Sequence, residues 1–102
     1  MGMSEISVEL DETRLTVSIV GRFDYDIVEE FRDSYNGVCD SDIDISLDLS
    51  QTDHIDSSAL GMILNMKSYL KKEDCAIEIK NCKPNLMKLF SMAHFERKFK
   101  FV

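Results

Sequence analysis

The stretch Asp48–Leu64, DLSQTDHIDSSALGMIL, joins a strand-like segment to a helix-like segment and decides the fold class. On its N-terminal side, apolar and polar residues alternate over residues 43–49, as in a strand with one buried face. Over residues 59–70, apolar residues recur three and four positions apart, which indicates a helix packed on a sheet. We expect the polar residues Asp56–Ser58 to begin this helix, because side-chain oxygens there accept hydrogen bonds from the free N–H groups of the first turn.

The same two patterns recur along the whole chain. Alternating apolar residues predict strands at residues 6–10, 15–19, 43–49, 75–79 and 99–102. Helical spacing predicts a first helix that begins at Asp24 or Asp26 and ends near Val38, a second from Ala59 to Leu70, and a third that begins at Pro84. The order β-β-α-β-α-β-α-β predicts a single α/β domain over residues 1–102, with a mixed β-sheet packed with helices.

The net charge of −7 is unevenly distributed along the chain. Residues 1–56 contain 15 of the 19 acidic residues, and residues 57–102 contain 9 of the 12 lysines and arginines. Nucleic acid is therefore not expected as a direct partner, because binding to phosphates requires a dense basic surface. The distribution suits a protein partner that presents basic residues to the N-terminal half, and an ordinary solvated surface explains it equally well.

The three cysteines, Cys39, Cys75 and Cys82, do not have the spacing of a zinc site. We expect buried, reduced thiols and a cytoplasmic location, with no bound metal and no cofactor. No apolar run reaches the length of about 18 residues that crosses a bilayer, and no basic region followed by an apolar core begins the chain. Neither membrane insertion nor a signal peptide is therefore expected.

The adjacent serines Ser57 and Ser58 allow three interpretations. They could cap the helix, act as a nucleophile, or accept a phosphate, which would meet free N–H groups and a favourable dipole at the helix start. A hydrolase nucleophile requires small flanking residues, as in G-x-S-x-G, together with a histidine base. The flanking sequence Ile55-Asp56 and Ala59-Leu60 does not match, so we do not expect an enzyme. Spacing alone favours capping over modification.

Four segments of the chain resemble the STAS-domain family and, within it, the stand-alone bacterial anti-sigma factor antagonists. These segments are Gly21–Asp24, Leu47–Gly61 with its Asp-Ser-Ser-Ala-Leu-Gly core, Cys75–Ile79, and Leu89–Ala93 followed by Phe95. They occur in the order found in the family and span nearly the whole chain. Ala59 stands where glycine is common in the family, a change that helical geometry tolerates.

The resemblance implies a protein substrate rather than an enzyme. In such antagonists a serine kinase, which is also the anti-sigma factor, phosphorylates the serine that corresponds to Ser58, with Ser57 as the alternative. Asp24 and Asp56 join the two serines as partner-binding residues. The unmodified protein binds the kinase, the phosphorylated form releases it, and a metal-dependent Ser/Thr phosphatase restores the first state.

Two further expectations accompany this resemblance. The alternative function is a constitutive STAS scaffold or a sensory subunit, in which Ser57 and Ser58 only cap the helix. Many family members continue into another helix after the last strand, whereas this sequence ends at Val102. We therefore expect part of the sheet to be covered by a partner or by a second copy in a homodimer.

Overall fold

The computed structural model describes residues 4–38 and 43–102, and its elements follow the expected alternation with one additional strand. The strands are β1 Glu5–Leu10, β2 Arg14–Phe23, β3 Asp44–Asp48, β4 Thr52–Ile55, β5 Ile77–Lys80 and β6 Lys100–Phe101. The helices are α1 Val28–Tyr35, α2 Ser57–Tyr69 and α3 Pro84–Met92, and 3-10 turns at Tyr25–Ile27 and Phe95–Arg97 precede α1 and follow α3.

The sheet is mixed, with the order β1-β2-β3-β5-β6. β1 is antiparallel to β2, and the other pairs are parallel. β2 is ten residues long. On the side away from β1 it pairs with two strands, β3 along its first half and β4 along its last residues. Gly21 lies where the register shifts, with a φ of 87° that favours glycine, and its N–H donates to the Gln51 carbonyl at 2.9 Å.

All three helices contribute to one hydrophobic core on one face of the sheet. Alternate residues of the central strands point into it, which explains the period-two pattern of the sequence. The strand residues are Leu15, Val17, Ile19, Ile45, Leu47, Ile77 and Ile79. The helix residues are Phe31, Tyr35, Ala59, Met62, Ile63, Met66, Leu86 and Phe90. The predicted apolar stripe of the second helix and the predicted α/β class with a mixed sheet are therefore confirmed.

The opposite face of the sheet is polar, and Arg14 connects three strands across it. Its guanidinium donates to the hydroxyl of Ser46 and to Oε1 of Glu78 at 3.0 Å, and it lies 3.7 Å from Asp44. The hydrogen bond from Arg14 is the main cause that lowers the pKa of Glu78. This network stabilises the register of β2, β3 and β5, because each strand contributes a polar group to it.

Four expectations require correction. Cys75 is exposed and adopts a left-handed φ of 65°, so the prediction of a buried thiol is wrong there, and the strand predicted from residue 75 begins at Ile77. Cys82 is half-buried, and burial raises its pKa to about 11, while Cys39 lies outside the described residues.

The bounds of two predicted elements also differ from those observed. The first helix ends at Tyr35, and the strand predicted at 99–102 is only two residues long. Strand β4 was not predicted.

Candidate functional site

Two neighbouring strand ends bring Asp24 and Asp56 to the same edge of the sheet. The last residue of β2, Phe23, pairs with the last residue of β4, Ile55, in parallel register. The two aspartates are the next residues, so they leave the sheet side by side, about 5 Å apart at the spacing of adjacent strands. The two acids therefore lie next to each other, and their role in partner binding stays a prediction.

Asp24 is 8% exposed and holds the turn that follows β2. One carboxylate oxygen accepts a hydrogen bond from the Asp26 N–H at 3.0 Å, which caps the 3-10 turn before α1. The other accepts from Nε of Arg22 at 3.2 Å. Asp24 therefore caps this turn, whereas α1 itself has Ile27 at its N-cap position and no side-chain cap, so the prediction that Asp24 or Asp26 caps the first helix holds only for the turn.

Asp56 is the N-cap of α2. Its backbone is extended, and Oδ1 accepts a hydrogen bond from the Ala59 N–H at 3.1 Å. Ser57 and Ser58 therefore occupy the first two helical positions instead of the cap position. The helix begins where the sequence predicts, but the capping oxygen belongs to the aspartate.

The two serines differ in their surroundings. The Ser58 hydroxyl is half-buried and donates a hydrogen bond to Asp56 Oδ1 at 2.6 Å. Ser57 is exposed, and within the described residues its side chain makes no hydrogen bond. The hydrogen bond from Ser58 is the main cause that lowers the pKa of Asp56. Partial burial raises this pKa, and the hydrogen bond from the Ala59 N–H lowers it further. The carboxylate thus orients one hydroxyl and not the other.

Strand β4 fixes the position of this helix start. The Thr52 hydroxyl is buried and donates to the Ile19 carbonyl at 2.8 Å, and Ile55 is buried in the core. Between them, Asp53 is exposed and pairs with Lys83 at 3.1 Å. The site therefore rests on a strand that is held by tertiary contacts at both ends.

Tyr25 is a candidate contact residue that sequence reasoning missed. It follows Asp24 directly and begins the 3-10 turn, and its side chain is 67% exposed. An aromatic ring presented to solvent beside two strand ends is a common contact residue in protein interfaces. The signal in the sequence is the aromatic residue between two aspartates, Asp24 and Asp26.

Ser57 is exposed at the start of α2, whereas the Ser58 hydroxyl is bonded to Asp56. Neither serine is hydrogen-bonded to a histidine in the described part of the chain. Among residues 4–38 and 43–102, no cluster of His, Cys, Asp and Glu could hold a metal ion. In the same ranges, no helix is long and apolar enough to cross a bilayer.

Comparison with known proteins identifies the family. A family model described as "Mlab, STAS domain" matches residues 6–102. The chain belongs to the STAS-domain family. A STAS-domain containing protein of Pseudomonas aeruginosa (strain UCBPP-PA14) is 37% identical over 90 residues, which cover 88% of this chain and 89% of that protein.

Solved structures share the STAS fold of this chain. An anti-sigma factor antagonist from Mycobacterium paratuberculosis superposes with a TM-score of 0.79 at 18% identity, covering 98% of this chain and 86% of the other. The unphosphorylated form of the anti-sigma factor antagonist SpoIIAA gives 0.74 at 16% identity, covering 96% and 88%. The phosphorylated form of SpoIIAA from Bacillus gives 0.69 at 16% identity, covering 96% and 91%. The predicted family is confirmed, and the chain has an anti-sigma factor antagonist-like STAS fold.

Proposed function

We propose that this STAS domain, over residues 1–102, is a non-enzymatic, cytoplasmic partner-switching regulator that is reversibly phosphorylated on Ser58. The partner is a serine kinase that also acts as an anti-sigma factor, and a metal-dependent Ser/Thr phosphatase removes the phosphate. The unphosphorylated form binds the kinase through Asp24, Asp56, Ser57 and Ser58, with Tyr25 as an added contact. The phosphorylated form does not bind.

The observation that carries this proposal is the hydrogen bond from Ser58 to Asp56. Phosphorylation replaces the hydroxyl proton, so the donor becomes an acceptor and two negative groups face each other. A single phosphate would then change the shape and the charge of the surface at once. The same phosphate on the exposed Ser57 would break no side-chain hydrogen bond within the described residues.

The alternative is a constitutive scaffold or sensory subunit in which the serines only cap α2. The position of Asp56 argues against it, because the aspartate accepts the capping hydrogen bond. The Ser58 hydroxyl donates to that aspartate. The helix start therefore does not depend on a serine for its cap, which leaves Ser58 free for another role.

The test is phosphate incorporation by intact-mass analysis. The purified protein is incubated with ATP and each serine kinase of its host, and wild type is compared with Ser58→Ala and Ser57→Ala. We expect the first substitution to abolish incorporation and the second to retain most of it. If the two variants behave the other way round, the acceptor is Ser57. An unmodified wild type, both in these reactions and when purified from the host, would favour the scaffold.

A further inference from the structure

Strand β1 forms one edge of the sheet and leaves part of the apolar face without cover. It pairs with β2 on one side only, and no described residue pairs with its outer edge. Val8 and Leu10 lie opposite the buried residues Val17 and Leu15, so their side chains point to the face that carries the core. Nevertheless, Val8 is 47% exposed and Leu10 is 60% exposed. An edge strand with exposed apolar residues is a template for further strand pairing.

A groove lies between this edge and the C-terminal end of α1. Its volume is about 350 Å³. Its apolar lining consists of Val8, Leu10, Leu15, Val38 and Ile43. Because Leu15 belongs to the core, the groove is a continuation of the core to the surface. A strand added beside β1 would lay its apolar side chains into this groove.

The other side of the edge is negatively charged. Glu5 and Glu9 alternate with the apolar residues of β1, and both are exposed on the polar face of the sheet. Asp33 of α1 adds a carboxylate at the rim of the groove. Both arginines of β2 already have acidic partners: Arg14 is bound to Glu78 and Arg22 to Asp24. The edge therefore combines an apolar face with an anionic face.

A second copy of this chain fits the edge poorly. If two copies of β1 pair antiparallel with like faces together, the registers that pair the most residues of Glu5–Leu10 are centred on Val8 or on Ser7. The first register places Glu5 opposite Asp11, and the second places Glu5 opposite Glu9. Like charges directly opposite each other destabilise a strand pair. Charge complementarity instead favours a strand whose polar side chains are basic.

We propose that the β1 edge binds an extended segment of a partner protein in which apolar and basic residues alternate. The segment adds a strand to the sheet, its apolar side chains fill the groove, and its basic side chains face Glu5 and Glu9. Backbone hydrogen bonds supply affinity, and the alternating side chains supply specificity. This docking surface does not depend on the proposed phosphorylation of Ser58.

The position of the edge supports that independence. Leu10 pairs with Leu15 near the start of β2, whereas the Ser58 site lies beyond Phe23, at its end. Eight residues of extended strand at about 3.3 Å each place Leu10 about 26 Å from this site, and Glu5, which pairs with Val20, lies three residues or about 10 Å from Phe23 along the strand. A charge at one site is screened from the other, because the Debye length is only about 8 Å at physiological ionic strength.

Fluorescence anisotropy with labelled heptapeptides tests the proposal. One peptide alternates lysine with valine, and the matched peptide alternates glutamate with valine. We expect the wild-type protein to bind the basic peptide at least about tenfold more tightly, which corresponds to about 1.4 kcal/mol. The double substitution of Glu5→Lys and Glu9→Lys should reverse this preference. Val8→Ser with Leu10→Ser should weaken binding of the basic peptide about tenfold.

Met92→Ser is the matched control, because Met92 is 77% exposed on α3 and should leave peptide binding unchanged. Thermal unfolding of each variant checks that the domain remains folded. The proposal is overturned if wild type does not bind the basic peptide, or if the charge reversal leaves the preference unchanged. It is also overturned if sedimentation shows a dimer that Val8→Ser with Leu10→Ser dissociates, since the edge would then bind a second copy.

Discussion

A phosphate on Ser58 should weaken the start of α2 and raise the pKa of Asp56. In the unmodified protein, the Ser58 hydroxyl donates to the Asp56 carboxylate at 2.6 Å. The phosphate ester has no proton to donate in its place. A hydrogen bond to a charged group contributes about 1.5–3 kcal/mol, and we expect the lower end here because the pair is only half-buried.

Charge repulsion adds to this loss. The phosphate carries about −1.5 to −2 charges at neutral pH. At about 5 Å and an effective dielectric constant of about 20, each unit charge repels the Asp56 carboxylate by about 3 kcal/mol before salt screening. The helix dipole at the start of α2 stabilises the phosphate by about 0.3–1 kcal/mol. After screening and rotation of the carboxylate, we expect the free energy of unfolding to fall by about 2 kcal/mol, which leaves a typical domain folded.

The assay uses protein with phosphoserine incorporated at position 58 during translation, compared with phosphoserine at position 57 and with unmodified protein. Urea unfolding measures the free energy of unfolding, and carboxyl-carbon NMR over a pH titration measures the pKa of Asp56. We expect this pKa to lie below its usual value in the unmodified protein and to rise most with phosphate on Ser58. The reasoning is refuted if the pKa does not rise, or if both phosphorylated proteins unfold like the unmodified one.

Three further predictions concern other contacts. Asp56→Asn keeps a capping oxygen without the charge. Because the folded pKa of Asp56 lies below its unfolded value, the stability advantage of wild type in urea unfolding should be present at pH 7 and be lost as the pH falls below the unfolded pKa of about 4 and through the folded pKa. A difference that stays constant with pH would contradict this. Arg14→Ala removes the donor to Glu78 and should lower the free energy of unfolding by about 1–3 kcal/mol, whereas unchanged urea unfolding would leave the network without a structural role. Tyr25→Ala should weaken binding of the kinase that modifies the protein about tenfold in a calorimetric titration. Met92→Ala is the control at another exposed residue. An equal loss of affinity in both variants would exclude a specific contact between Tyr25 and the kinase.

The alternation of strands and helices could be predicted because the side chains that face the core in these elements are apolar. In β2 the buried residues include Leu15, Val17 and Ile19, and in β3 they include Ile45 and Leu47, so period two appears directly in the sequence. In α2 the residues from Ala59 to Met66 that face the core are apolar. Asp56 was recognised as a helix start because aspartate is favoured there.

Strand β4 could not be predicted, because its pattern depends on tertiary contacts. Thr52 is polar yet fully buried, and its hydroxyl is satisfied by the Ile19 carbonyl, 33 residues earlier in the chain. Cys75 was wrongly assigned to a strand because its apolar character does not reveal its left-handed backbone. The sequence also presented Asp56, Ser57 and Ser58 as equal caps, and only the backbone geometry distinguishes the acceptor from the donor.

The central claim is tested most directly by measuring the affinity of the kinase for two forms of the protein. The titration compares unmodified protein with protein carrying phosphoserine at position 58, using kinase with a bound non-hydrolysable ATP analogue so that no phosphate is transferred. We predict that the phosphate weakens binding at least about 100-fold, equivalent to about 2.7 kcal/mol. Equal affinity for the two forms would contradict the switch and leave Ser58 as a structural residue of the helix start.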